Sequence, residues 1–289
     1  MTAEKRNRSL TRWFRFGLRS ALLGFTLLCL LLALVVLPYH RALREHRAVN
    51  ELLANGSGIA FSRAGTIAWK GEEPGFVPGN WMERLTGIRI SSHVKEVNIY
   101  EDGFVAGTGK RSVELLAEVR GLESVFIRNK DVDLKHLEGL RQLKSVIIQA
   151  EHITGDAPRV FSTFSELSHL ALFCHGDGPS ITDAHLSGLR NAKLESLQIA
   201  SRRVDGSFLN SLESPQALRH LSLSRCAVDD RSVETLDQFR SLQTLELSST
   251  SITDEGIEHL ANLKNLRVLI LDETAISDRS LEVIAGLSN

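Results

Sequence analysis

The chain has 289 residues, of which 43% are hydrophobic and 24% charged, with a formal net charge of −1 at pH 7. This places it among folded proteins and excludes a disordered chain. Its three cysteines, Cys29, Cys174 and Cys226, are too few and too scattered for a disulfide-built scaffold.

The first expected element is a transmembrane helix. From Ala21 to Tyr39 there is no charged residue, and Leu27 to Leu37 is almost wholly aliphatic. Nineteen residues rising 1.5 Å each cover roughly 28 Å, close to the hydrocarbon thickness of a bilayer. A cleaved signal peptide is the competing reading. The apolar run is longer than a usual signal core, and Leu37-Pro38-Tyr39-His40-Arg41 comes after it in place of a small-x-small site. Six basic residues precede the run (Lys5, Arg6, Arg8, Arg12, Arg15 and Arg19) and three come closely after it (Arg41, Arg44 and Arg47). That asymmetry places residues 1–20 in the cytoplasm as a basic leader and the remainder outside it. Trp13, Phe14 and Tyr39 suit the two interfaces. Removing the six basic residues and one acidic residue of the leader from totals of 34 and 35 leaves 28 and 34, a net charge of −6. Such a domain is not built for nucleic acid or anionic lipid.

Residues 40–57 read as a stalk helix and hinge, with helix formers up to Ala54 and a break at Asn55-Gly56-Ser57-Gly58. Residues 58–93 are expected to cap the N-terminal face of the domain formed by residues 94–289, using Trp69, Phe76, Trp81, Met82 and Leu85, with a short helix at Asn80 to Leu85.

Residues 94–289 repeat. The pattern L-x-x-L-x-L starts at Val94, Leu122, Leu143, Leu167, Leu194, Leu218, Leu242 and Leu266, with spacings of 28, 21, 24, 27, 24, 24 and 24. A strand turns alternate residues inward, so the fourth and sixth columns are the test. They run from Val97 and Ile99 to Leu269 and Leu271, and all sixteen residues are aliphatic. Each strand is succeeded by a turn with an inward aliphatic residue, such as Val204, Val228, Ile252 or Ile276. Next come polar pairs, Thr182-Asp183, Asp229-Asp230, Thr253-Asp254 and Ser277-Asp278, suited to accept free amides at a helix start. The helix then turns residues inward at a spacing of three, as in Leu281, Ile284 and Leu287. The expected fold class is α/β: a solenoid with parallel strands on the concave face and helices on the convex face, preceded by one transmembrane helix. Leu122 to Gln142 is short for such a unit, and Pro158 falls near a helix start. The last unit leaves either an open edge at Leu281 and Ile284 or one covered by a partner, with self-association as one outcome.

The repeat T-x-I-[TS]-D-x-x-[LI]-x-x-[LI]-x-x-L at Thr250 to Leu263 and Thr274 to Leu287 resembles that of bacterial leucine-rich-repeat proteins, and it is similar to repeats of F-box-type substrate receptors. The leader motif at Arg12 to Arg19, the span, the arginine-rich helix, Trp81 to Leu85 and the repeats together resemble a bacterial family of single-pass, membrane-anchored leucine-rich-repeat proteins with internalin-like repeats. That resemblance implies a binding domain of unassigned ligand and supplies no catalytic residues.

Outward strand positions are where repeat proteins usually bind. Tyr100, Phe126, Ile147, Ala171 and Phe173 are expected to share neighbouring strands as an apolar patch for a protein or a cell-envelope polymer, unless residues 58–93 fold over it. Cys174, His175, Asp177 and Asp183 collect metal-ligand types in the 174–183 insert, but at no recognised zinc or calcium spacing, and a solvated loop is the favoured reading. No phosphate loop, HExxH or G-x-S-x-G motif is present. The expectation is a membrane-tethered binding scaffold with no enzyme activity, cofactor or metal. An intracellular adaptor is the alternative, and an enzyme using the 174–183 loop comes last.

Overall fold

The computed structural model describes residues 18–31, 36–54, 58–61, 67–68, 94–100, 108–119, 121–176 and 180–287. The chain forms two compact units, 1–47 with 77–91, and 48–76 with 92–289.

In the first unit, α1 (Leu18–Leu31) is a helix of 14 residues whose Leu22, Leu23, Phe25, Leu27, Leu28 and Leu30 are exposed. A second helix, α2 (Leu37–Ala54), starts with Pro38 in its first turn, where a missing amide costs nothing. Of the helix expected over 21–39, α1 covers the part up to Leu31, about 21 Å over its full length, and residues 32–35 lie outside the described residues. Among the described residues, no helix is long and apolar enough to cross a membrane.

In the second unit, the last turns of α2 place Ala48, Val49 and Leu52 in the hydrophobic core. Among the described residues the sheet has ten strands: β1 (Gly58–Phe61), β2 (Ile67–Ala68), β3 (Val94–Tyr100), β4 (Ser124–Asp133), β5 (Ser145–Thr154), β6 (His169–Cys174), β7 (Ser196–Ala200), β8 (His220–Ser222), β9 (Thr244–Glu246) and β10 (Val268–Ile270). Their spatial order is β10-β9-β8-β7-β6-β5-β4-β3-β1-β2. The eight expected repeat strands, β3 to β10, are all parallel. β1 pairs antiparallel with both β3 and β2, so part of the expected cap continues the sheet. Residues 69–93, including the expected helix at 80–85, lie outside the described residues.

The parallel register is column on column, Val97 beside Val125, Val146, Leu170, Leu197, Leu221, Leu245 and Leu269. Fourteen of the sixteen inward residues are at most 2% exposed, and only Leu269 and Leu271 of the last unit are partly open. The reason is stacking: each unit's apolar stripe is closed by the unit after it. Ile257 is 0% exposed, whereas Leu281, in the same column one unit later, is 58% exposed. The expected inward set of Leu281, Ile284 and Leu287 is corrected at Leu281, since Leu287 is buried and Ile284 is partly buried against the core.

The short unit is explained by strand length. β4 and β5 each run ten residues and stay paired to Asp133 and Thr154, with Val132 and Ile153 buried. Residues that elsewhere form the turn are taken into strand, and only a 3-10 turn, Leu134–Leu137, comes after β4. The other α-helices among the described residues are α3 (Thr108–Leu115), α4 (Ala157–Ser162), α5 (Asp183–Leu186), α6 (Asp230–Glu234), α7 (Asp254–His259) and α8 (Leu281–Ala285), the last of them closing the final unit. Pro158 sits in the first turn of α4, and Asp156 accepts the Arg159 amide at 3.2 Å.

The polar pairs at the helix starts divide their work in a way local rules do not foresee. The first member caps its own helix, as when Asp229 accepts the Ser232 amide at 3.0 Å and Thr253 accepts that of Glu255 at 3.3 Å. The second reaches into the next unit. Asp230 accepts the Thr253 amide and hydroxyl, both at 2.8 Å, and Asp254 accepts the Ser277 amide at 2.9 Å and hydroxyl at 2.6 Å.

These bonds favour the ionised carboxylate. The Ser277 hydroxyl, then that of Ser280, then the Ser277 amide hold the Asp254 carboxyl down to about 2. Asp229 is lowered by the Ser232 amide and hydroxyl in the same sense. A folded-state value below the unfolded one contributes stability that is present above the unfolded value and lost as pH falls through the folded one. Denaturant midpoints are thus expected to fall between about pH 4 and pH 2, and to fall less steeply in Asp254→Asn. Equal slopes for the two chains would contradict this role for Asp254.

Candidate functional site

The outward face of the sheet is built by the same register that fills the core. Asn98, Phe126, Ile147, Ala171, Gln198, Ser222, Glu246 and Ile270 lie side by side on successive strands. Neighbouring strands stand about 4.8 Å apart, so Phe126, Ile147 and Ala171 form one unbroken apolar row. Phe126 and Ile147 are half-buried and Ala171 is 7% exposed. Phe173, also half-buried, projects from β6 two residues beyond Ala171.

Tyr100 lies in the row of Phe173, not in that of Phe126. The next outward row runs Tyr100, Arg128, Gln149, Phe173, Ala200, so two polar residues stand between Tyr100 and Phe173. The Tyr100 side chain lies outside the described residues, as does most of the 58–93 segment expected to shield the face.

Two ligand-type residues of the 174–183 loop, Cys174 and Asp183, have structural roles. Cys174 is buried and His175 exposed, while Asp177 lies outside the described residues. The Asp183 carboxylate accepts three amides of the next unit, from Asp205 at 2.9 Å, Gly206 at 3.0 Å and Phe208 at 3.2 Å. His185 closes the start of α5, its Nδ1 lying 2.8 Å from the Thr182 hydroxyl and accepting the Thr182 amide at 3.1 Å. Among the described residues, no group of His, Cys, Asp and Glu could hold a metal ion. Burial pushes the Cys174 thiol up and that of Cys226 up to about 12, so both are packing groups in the folded chain. Cys226 also donates to the Ile199 carbonyl at 3.3 Å. His169 and His220 share a row but are separated by Ser196 on the strand between them.

A second feature is not apparent from the sequence. Beyond the C-terminal ends of β6 and β7 lies a cavity of about 740 Å³, lined in part by Arg202, Arg203 and Arg225. The residues come from turns after successive strands, and no linear motif joins them. The Arg202-Arg203 pair after β7 and Arg225 after β8 were the available signal.

A family model described as Leucine Rich repeat matches residues 240–261. A comparison with curated proteins finds no match. Among solved structures, the chain is similar to internalin C2 from Listeria monocytogenes, with 24% identity, a TM-score of 0.46, and coverage of 60% of this chain and 71% of that one. It is similar to the leucine-rich-repeat ectodomain of the Arabidopsis receptor kinase HAESA, solved with an IDA peptide hormone, at 13% identity and TM-score 0.44, covering 80% and 41%. It is also similar to TLR13 in a complex with ssRNA13, at 21% identity and TM-score 0.40, covering 61% and 25%. The matched segment, 240–261, runs from the end of one unit through β9 into α7, and its columns are those that recur down the sheet. Residues 240–261 of this chain thus match a leucine-rich repeat.

Proposed function

We propose that this chain is a membrane-tethered scaffold that binds a protein partner on the outward face of its repeat strands. The observation that carries this is the unbroken row Phe126, Ile147 and Ala171, with Phe173 beside it, on a face otherwise dominated by polar side chains. Apolar anchors central to a polar surround are the usual energetic centre of a protein interface. The tether rests on the charge-free run from Ala21 to Tyr39 and on the exposed leucines of α1. The basic excess ahead of that run favours a cytoplasmic N-terminus, with the repeats outside.

The full chain is expected to stay with the membrane through an alkaline carbonate wash. After detergent extraction it is expected to hold a protein partner at least about tenfold more tightly than the Phe126→Glu, Ile147→Glu chain. Release by carbonate would remove the tether. Equal retention by the two folded chains would remove the strand face as the binding surface.

A further inference from the structure

We infer that the cavity beyond β6 and β7 is an oxyanion site that receives the carboxylates of an acidic segment of the protein partner. This rests on the strand-face reading, because the cavity begins where the apolar row ends. Phe173 is adjacent in sequence to Cys174 and pairs with Ala200, and Cys174 and Ala200 both line the cavity. A partner whose apolar residues lie on Phe126 to Phe173 would reach the arginines with the next few residues of its chain.

The chemistry comes from three arginines that line one space. Arg202, Arg203 and Arg225 are all exposed, and none has an ion pair or side-chain hydrogen bond among the described residues. Some other basic side chains of the repeats are matched, as Arg190 is to Glu213 at 2.8 Å and Arg159 to Glu138 at 2.7 Å. None of the described residues lining the cavity is acidic. An adjoining cavity of about 370 Å³ shares Arg202 and Arg225 and is bounded by Glu273, whose carboxylate is engaged by the Ser249 hydroxyl at 2.6 Å.

Like charges gathered in one concavity repel one another and raise the local concentration of anions. Guanidinium forks are matched to the planar geometry of carboxylates, which accept two parallel hydrogen bonds. The Ser180 and Ser201 residues and the His175 ring add polar groups to the same wall, although the Ser201 hydroxyl already donates to the Ile181 carbonyl at 2.8 Å. A volume of about 740 Å³ holds several carboxylate side chains, which favours an acidic segment over a single small ion.

The test is fluorescence anisotropy of labelled hexaglutamate on the full chain in detergent, with inorganic phosphate in a parallel arm. Hexaglutamate is expected to bind, to weaken with added salt, and to bind at least tenfold more weakly to Arg202→Gln, Arg225→Asn. Asparagine is chosen because Arg225 has φ of 61°, a left-handed conformation that asparagine tolerates. The uncharged Phe126→Ser, Ile147→Ser chain is expected to keep hexaglutamate binding while losing the protein partner, which separates failure of this site from failure of the strand face. The site would be overturned by no binding of hexaglutamate, by equal binding to the arginine variant when both chains are folded, or by binding of phosphate in place of hexaglutamate.

Discussion

Ile257→Ala is expected to lower the unfolding free energy by about 2–5 kcal/mol, the range for truncating a large aliphatic side chain in a packed core. Ile257 is fully buried, and its column neighbour Leu281 is 58% exposed. Leu281→Ala is therefore expected to cost less than about 0.5 kcal/mol, as surface substitutions do. The two residues occupy the same place in the repeat and differ only in whether another unit stacks on them. Chemical denaturation of both variants measures the difference, and similar losses would mean that the last unit is covered in solution. That edge would then need an occupant.

Asp183→Ala is expected to cost roughly 1.5–3 kcal/mol, the usual net value of hydrogen bonds to a charged group. Its Oδ2 accepts the Asp205 amide, and its Oδ1 accepts those of Gly206 and Phe208. Removing the carboxylate strands three amides at the start of the next unit, two of them part-buried. Asp183→Asn should restore only part of the loss, because the amide nitrogen of asparagine is a donor and faces another donor. Asp278, which opens the last unit, has no such recipient among the described residues, and Asp278→Ala is expected to be near neutral. A large loss at Asp278, or none at Asp183, would contradict the cross-unit role.

The strands and their register were legible because two periods coincide in the sequence: alternation within a strand and recurrence near 24 residues between strands. Val97 to Leu271 satisfied both, and the structure stacks them in that order. The extension of β4 and β5 was not legible. Val125, Ile127 and Asn129 turn inward in alternation, but the next buried residue is Val132, so the pattern breaks inside the strand. The double role of the Thr-Asp and Asp-Asp pairs was half legible, since capping is a local rule. Which amides the second aspartate meets depends on the neighbouring unit. The row Phe126, Ile147 and Ala171 was legible from the same columns that set the core. Tyr100 lies in the row of Phe173, which carries Arg128 and Gln149 between them. The arginine cavity could not be seen at all from spacing, as its walls come from turns of separate units.

If the outward strand face is where the partner sits, site-specific photo-cross-linking in intact cells tests it most directly. A benzophenone side chain would replace Ile147 in one full-length chain and the exposed Glu258 of α7 in another. A discrete higher-mass protein adduct is expected from position 147 and none from position 258. An adduct from position 258 with none from position 147 would contradict a partner on the strand face.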